Sequence, residues 1–142
     1  MRVDELNSVY NLEEVYILPF GSFFFFDDFI ISEISEGVLF DWEKAKEVID
    51  LAYSHYGPNP KIVYISNRIY SYSVVPQDWL KFFSNKHPLI AMAVVIKTRT
   101  SIINLMMEKL FFFSKLKKFS DLEEAIAWAK LLTDTKDSIA KE

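Results

Sequence analysis

Between residues 64 and 79 an apolar run gives way to a polar, aromatic loop that carries Asn67, Arg68, Ser71, Tyr72, Ser73, Asp78 and Trp79. Loops held between a strand and a helix are where binding residues concentrate. A guanidinium at such a strand end can grip a carboxylate or phosphate through two parallel hydrogen bonds, which makes Arg68 the first residue to consider. Its competing role is structural, as the ion-pair partner of Asp78. Asn67 is either a ligand donor or a turn former that tolerates left-handed geometry. Asp78 suits the positive end of a helix dipole, and Trp79 either walls a pocket or joins the core. Ser71 and Ser73 either carry chemistry or satisfy backbone groups in a turn.

Other catalytic patterns are missing from the sequence. His55 and His87 have neither the His-Glu nor the cysteine spacing of a zinc site, and the three glycines form no phosphate-cradling loop. Asp27 with Asp28, and Glu123 with Glu124, are neighbours in sequence, whereas a general acid and base need facing carboxylates. They read as solvated charge. The pattern therefore predicts no metal, no cofactor, no catalytic residue and a non-enzymatic role, ahead of the alternative of a small enzyme built from Ser, Arg and Asp of the 66–78 loop.

The chain has 142 residues, a formal charge of -4 and no cysteine. That length suits one domain over 1–142, with a core from about 13 to 132 and polar ends; residues 133–142 lose aromatics and become charged. The lack of cysteine fits a reducing compartment, so a cytoplasmic protein is expected. The net negative charge gives no field to hold nucleic acid. The first residues lack a cationic start followed by an apolar run, so no export signal is read there. Charged residues interrupt every apolar run before the ~20 residues that span a bilayer. The 51% hydrophobic content, with thirteen Phe, must fill a core and serve a pocket or an oligomer interface.

The elements that position the loop follow from periodicity. Residues 14–26 read as one extended segment that bends at Gly21 and Ser22; Asp27 and Asp28 turn it, and residues 29–35 return as an antiparallel strand. Asp41 caps a helix with Trp42, Ala45, Ile49, Ala52, Tyr53 and Tyr56 on one face, ended by Gly57 and Pro58. Residues 61–66 form a strand parallel to the previous one. Pro76 opens a helix that presents Trp79, Leu80 and Phe83, and residues 89–96 form a central strand covered on both faces. A helix over 100–111 should bury Ile103, Met106, Met107 and Leu110. Residues 114–119 suit an edge strand guarded by lysines. Ser120 and Glu123 form a capping box for a last helix that buries Leu122, Ala125, Ile126, Ala129 and Leu132.

This order resembles the STAS domain of bacterial anti-sigma-factor antagonists, the SpoIIAA-like fold, and particularly small bacterial SpoIIAA-like proteins of unassigned function. The stretches that carry the resemblance are 64–68, Tyr72 with Ser73, and 76–79, supported by 29–37. It implies an α/β fold with a mixed sheet of four to five strands, an N-terminal antiparallel hairpin and about four helices. It also implies a regulatory, protein-binding module. In the antagonists a kinase phosphorylates a serine at the start of the helix after the third strand. Ser73 is the counterpart candidate here, although Val74, Val75 and Pro76 replace the usual Asp-Ser-Ser-Gly pattern. A phosphate on Ser73 would be favoured by Arg68 and by a helix N-terminus. The superfamily resembles CRAL-TRIO domains in overall fold, which implies the alternative of a carrier for a small apolar or lipid-like ligand. The expected partners are thus another protein or a small apolar or anionic ligand. Lys109, Lys115, Lys117 and Lys118 beside Phe111 and Phe113 read first as a solvated edge beside buried rings, with weak contact with anionic lipid or a partner's acidic face as the alternative. The same patch and the Phe-rich stretch 23–29 are candidate homodimer faces.

Overall fold

A computed structural model describes residues 1–6, 10–96 and 99–141, with side chains from 102 to 134 in the last part. Most of the charged tail therefore lies outside the described side chains. A six-stranded sheet runs β1 (Leu12–Leu18), β2 (Gly21–Phe26), β3 (Phe29–Ile34), β5 (Val63–Asn67), β7 (Ala91–Val95) and β8 (Lys115–Phe119) in spatial order. The first three strands are antiparallel and the remainder parallel. Two short strands, β4 (Leu39–Phe40) and β6 (Ser73–Val74), pair in parallel beside it. Helices α1 (Trp42–Tyr56), α2 (Asp78–Ser84) and α3 (Arg99–Lys109) follow β4, β6 and β7, and α4 (Leu122–Lys141) follows β8.

The α/β architecture is as expected, with one more sheet strand than the upper expectation. Residues 14–26 do not form one bent segment. They fold back at Pro19 and Phe20 into β1 and β2, because Gly21 pairs with both Leu18 and Ile34 and starts a new strand. A Cβ on Gly21 would lie 2.8 Å from the Glu33 carbonyl oxygen and 2.9 Å from the Ile34 Cα, so only glycine allows β2 to approach β3 this closely.

Strand alternation divides the core into two layers. Phe29, Ile31, Val63, Ile65, Ala91 and Ala93 face α4, which buries Leu122, Ala125, Ile126 and Ala129 against them. Phe23, Phe25, Ile30 and Ile62 face α1, while Met92 and Val94 pack with Leu105, Trp79 and Phe83. Phe23, Phe25, Phe26 and Phe29 are thus buried, and the stretch 23–29 offers no dimer face of exposed rings.

Three other local expectations are corrected. Pro76 sits in a turn ahead of α2, which begins at Asp78. Asp121, not Ser120, caps α4, its Oδ1 accepting the Glu123 N–H at 3.4 Å. Helix α3 is rotated relative to the apolar stripe: Ile103, Met106, Met107 and Leu110 are exposed, and Leu105 and Glu108 are buried. Nor is the Asp27–Asp28 turn mere solvated charge. Lys130 lies 3.2 Å from Asp28, Thr133 donates to it at 2.8 Å, and partial burial raises the Asp28 pKa.

Gly21→Ala should cost about 1–3 kcal/mol, the usual range for overpacking. Urea unfolding would show a lowered midpoint; an unchanged midpoint would mean that β2 and β3 can separate freely at this point.

Candidate functional site

The side chains of β5 and its extension alternate between the two layers, so Tyr64, Ser66 and Arg68 point toward α1 and α2 while Val63, Ile65 and Asn67 point toward α4. On the α1 side the packing is incomplete. Of the 15 residues of α1 only Val48 is fully buried, and α2 has none, because between them and the sheet lies a partly open cavity of roughly 130 Å³. Ile30, Ile62 and Met92 floor it, Ala45, Ala52 and Tyr53 come from α1, and Trp79 and Phe82 close the far wall.

The polar end of the cavity is built around Arg68. Its Nη2 donates to Glu108 Oε1 at 2.9 Å, and its Nη1 lies 2.7 Å from Glu108 Oε2. The first contact is a directed hydrogen bond; Oε2 accepts no well-directed bond and is held by charge. The Arg68 side chain is 8% exposed and that of Glu108 1%. Trp79 Nε1 donates to Glu108 Oε1 at 3.2 Å, and Arg68 Nε donates to Ser66 Oγ at 3.0 Å. Ser66 Oγ shares a 2.9 Å hydrogen bond with Tyr72 Oη, whose ring lies under the guanidinium. Burial opposes the charge on Arg68, but Tyr72 and Glu108 outweigh it, so its pKa rises and the cation persists. Deep burial likewise raises the Tyr64 hydroxyl, which donates to Ser32 Oγ at 2.7 Å. At the other end Tyr53 Oη and His87 Nδ1 are 2.8 Å apart, and burial lowers the His87 pKa.

Four of the residues expected from sequence, Arg68, Tyr72, Asp78 and Trp79, line this cavity. The expected partnership of Arg68 with Asp78 is replaced by Glu108; Asp78 lies 3.4 Å from Lys81 instead. Asn67 belongs to the opposite layer. There its Nδ2 donates to the Met1 carbonyl at 2.8 Å and to Glu33 Oε2 at 3.1 Å, and Glu33 also accepts the Val3 N–H at 2.7 Å. Ser71 and Ser73 are exposed, and their backbone groups are the ones engaged. The Ser71 N–H donates to Glu36 at 2.8 Å, and the Ser73 N–H to the Val38 carbonyl at 2.9 Å. Ser73 lies in β6, five residues ahead of α2, while Arg68 is turned inward to Glu108. The geometry imagined for a phosphate on Ser73 is therefore not formed. Sequence reasoning passed over Ser66 and Glu108. Ser66 was legible from the period of two that joins Tyr64 to Arg68, whereas Glu108 had no signal beyond being an acid among apolar neighbours.

No protein-family model matches the chain, and neither does any curated protein. Among solved structures it is similar to an uncharacterized protein from the DUF3478 family of Shewanella loihica PV-4, described as having a SpoIIAA-like fold. The TM-score is 0.50 at 14% identity, over 87% of this chain and 98% of that one. The fold is SpoIIAA-like. In this SpoIIAA-like frame the cavity runs along the strands, from Ile62 and Leu89 ahead of β5 and β7 to Ser66 and Arg68 at the carboxyl end of β5. Among the described residues no three His, Asp or Glu side chains converge as metal ligands would, and no helix is long and apolar enough to cross a membrane.

Removing one member of a buried pair strands the other, so Arg68→Met or Glu108→Leu alone should cost about 3–5 kcal/mol, and the double variant less than the sum. Additive costs in urea unfolding would contradict the pairing. Burial raises the Glu33 pKa above its usual value of 4.5. The folded state then binds that proton more tightly than the unfolded chain, so this contribution to stability is full below the unfolded pKa and is lost as pH rises through the folded one. The stability of the native protein relative to Glu33→Gln should accordingly fall as pH rises above the unfolded value of 4.5; a rise would contradict the assignment.

Proposed function

We propose that this protein is a non-enzymatic, cytoplasmic ligand-sensing module: a compact apolar molecule occupies the cavity, and the segment 66–79 presents its occupancy to another protein. The observation that carries this reading is the unfilled space under α1, bordered by the same segment that has an exposed outer side. Ser66, Arg68 and Tyr72 face inward, and Ile69, Ser71 and Ser73 are exposed. One short segment thus joins a ligand to an outer surface. The regulatory, protein-binding reading of the sequence and its small-ligand alternative become two sides of one device.

The size of the cavity favours a sensor over a lipid carrier. Pockets for drug-sized ligands typically span about 300–1,000 Å³, well above the roughly 130 Å³ available here. A non-enzymatic role is supported by the engagement of the lining acids. Glu108 is paired with Arg68, Asp78 with Lys81 and Asp41 with Lys44, which leaves no carboxylate poised as a general base.

Protein isolated from its own cells should yield a small molecule in organic extracts analysed by mass spectrometry. The Ala52→Phe variant, with a ring filling the cavity, should yield it at least about tenfold less, the effect of losing roughly 1.4 kcal/mol of binding. Equal amounts of every extracted compound from both proteins would overturn the proposal.

A further inference from the structure

We infer that the cavity selects a neutral, ring-sized ligand whose polar group accepts a hydrogen bond from the Ser66–Tyr72 hydroxyl pair, and that it rejects anions. This inference rests on the ligand-sensing function proposed above and names the chemistry of its ligand. Three observations carry it, and each removes a class of competitor.

The first is size. An apolar cavity of about 150 Å³ stays dry and accepts benzene. The roughly 130 Å³ here, walled by Ala52, Ile62, Met92 and Phe82, matches one ring with a small substituent.

The second is the hydrogen-bond count. Ser66 Oγ accepts from Arg68 Nε and shares one bond with Tyr72 Oη. Two hydroxyls carry two hydrogens, and their mutual bond uses one, whichever residue donates it. The other is available to a ligand. Of the five guanidinium N–H groups, only two are directed to Ser66 and Glu108, and Nη1 meets Glu108 Oε2 by charge alone. Of the acceptors, Glu108 Oε1 receives Arg68 and Trp79, while Oε2 lies against Nη1 without a directed hydrogen bond. The polar end therefore holds more free donors than free acceptors, which suits a ligand carbonyl, ether or ring nitrogen.

The third is charge. Arg68 alone would invite a carboxylate or phosphate, but Glu108 already neutralises it where both are out of water. An entering anion would leave two negative groups around one positive group where Arg68 and Glu108 are both almost wholly withdrawn from water. Arg68 therefore orients the Ser66–Tyr72 pair and does not serve as an anion receptor.

Cumene, acetophenone and benzoate have nearly the same shape and differ in acceptor and charge, so they are the probes to titrate into the full chain by NMR. Signals of Ala52 and Met92 should move with cumene and acetophenone, and benzoate should bind more than about tenfold more weakly than acetophenone. In Ser66→Ala/Tyr72→Phe, which removes both hydroxyls, the acetophenone-to-cumene affinity ratio should fall about threefold to tenfold, the worth of one neutral hydrogen bond. Benzoate binding as tightly as acetophenone, or a ratio that does not move, would overturn the inference while leaving the sensing function intact. If neither neutral probe perturbs Ala52 or Met92, the ligand-binding function fails and the inference with it. The comparison of benzoate with acetophenone uses the native sequence, so it holds even if the double variant does not fold.

Discussion

One buried ion pair organises this molecule. Arg68 stands at the end of the second parallel strand and Glu108 near the end of α3, and neither can lose its partner without leaving a charge away from water. The pair therefore fixes how α3 is rotated. With Glu108 inward, Ile103, Met106, Met107 and Leu110 are turned away from the sheet and meet solvent, despite being the more apolar stripe. The cost of leaving four large apolar residues exposed is spread over many weak contacts. The cost of an unpaired buried carboxylate falls on one group, and that decides the orientation.

The same pair explains why space remains beneath α1. Charged groups need directed partners at fixed distances, so Arg68, Ser66, Tyr72 and Trp79 form a rigid polar end that cannot collapse inward to fill a void. The apolar walls from α1 and the sheet are then held apart by a frame that apolar packing alone would have closed. On the other layer Asn67 and Glu33 secure the backbone of Met1 and Val3. Successive residues of one strand end are thereby fixed to two different layers, and the loop between Arg68 and Tyr72 is suspended between them.

Much of the fold was legible in sequence because it rests on periodicity. The parallel strand read at 61–66, the apolar run 89–96, the Gly57 stop, which adopts φ 94°, and the inward face of α4 all appear as read. The errors share a cause. The turn at Pro19 and Phe20 carries no glycine at its tip, so the signal of Gly21 was assigned to a bend inside one strand. The face of α3 was assigned by counting apolar residues, whereas a long-range charge pair settles it. The site shows the same division: Arg68, Tyr72 and Trp79 were visible because of residue type and position in a loop. Glu108 was not, since its importance comes from a partner 40 residues away and local pattern holds no trace of that contact.

A rigid, charge-neutral polar end keeps an apolar cavity open in the SpoIIAA-like fold. A crystal structure under xenon pressure tests it most directly, since xenon enters dry apolar cavities of this size. The account predicts xenon among Ala52, Ile62 and Met92, with Arg68 and Glu108 still in contact. An empty or collapsed cavity, or an Arg68 turned out to solvent, would contradict it.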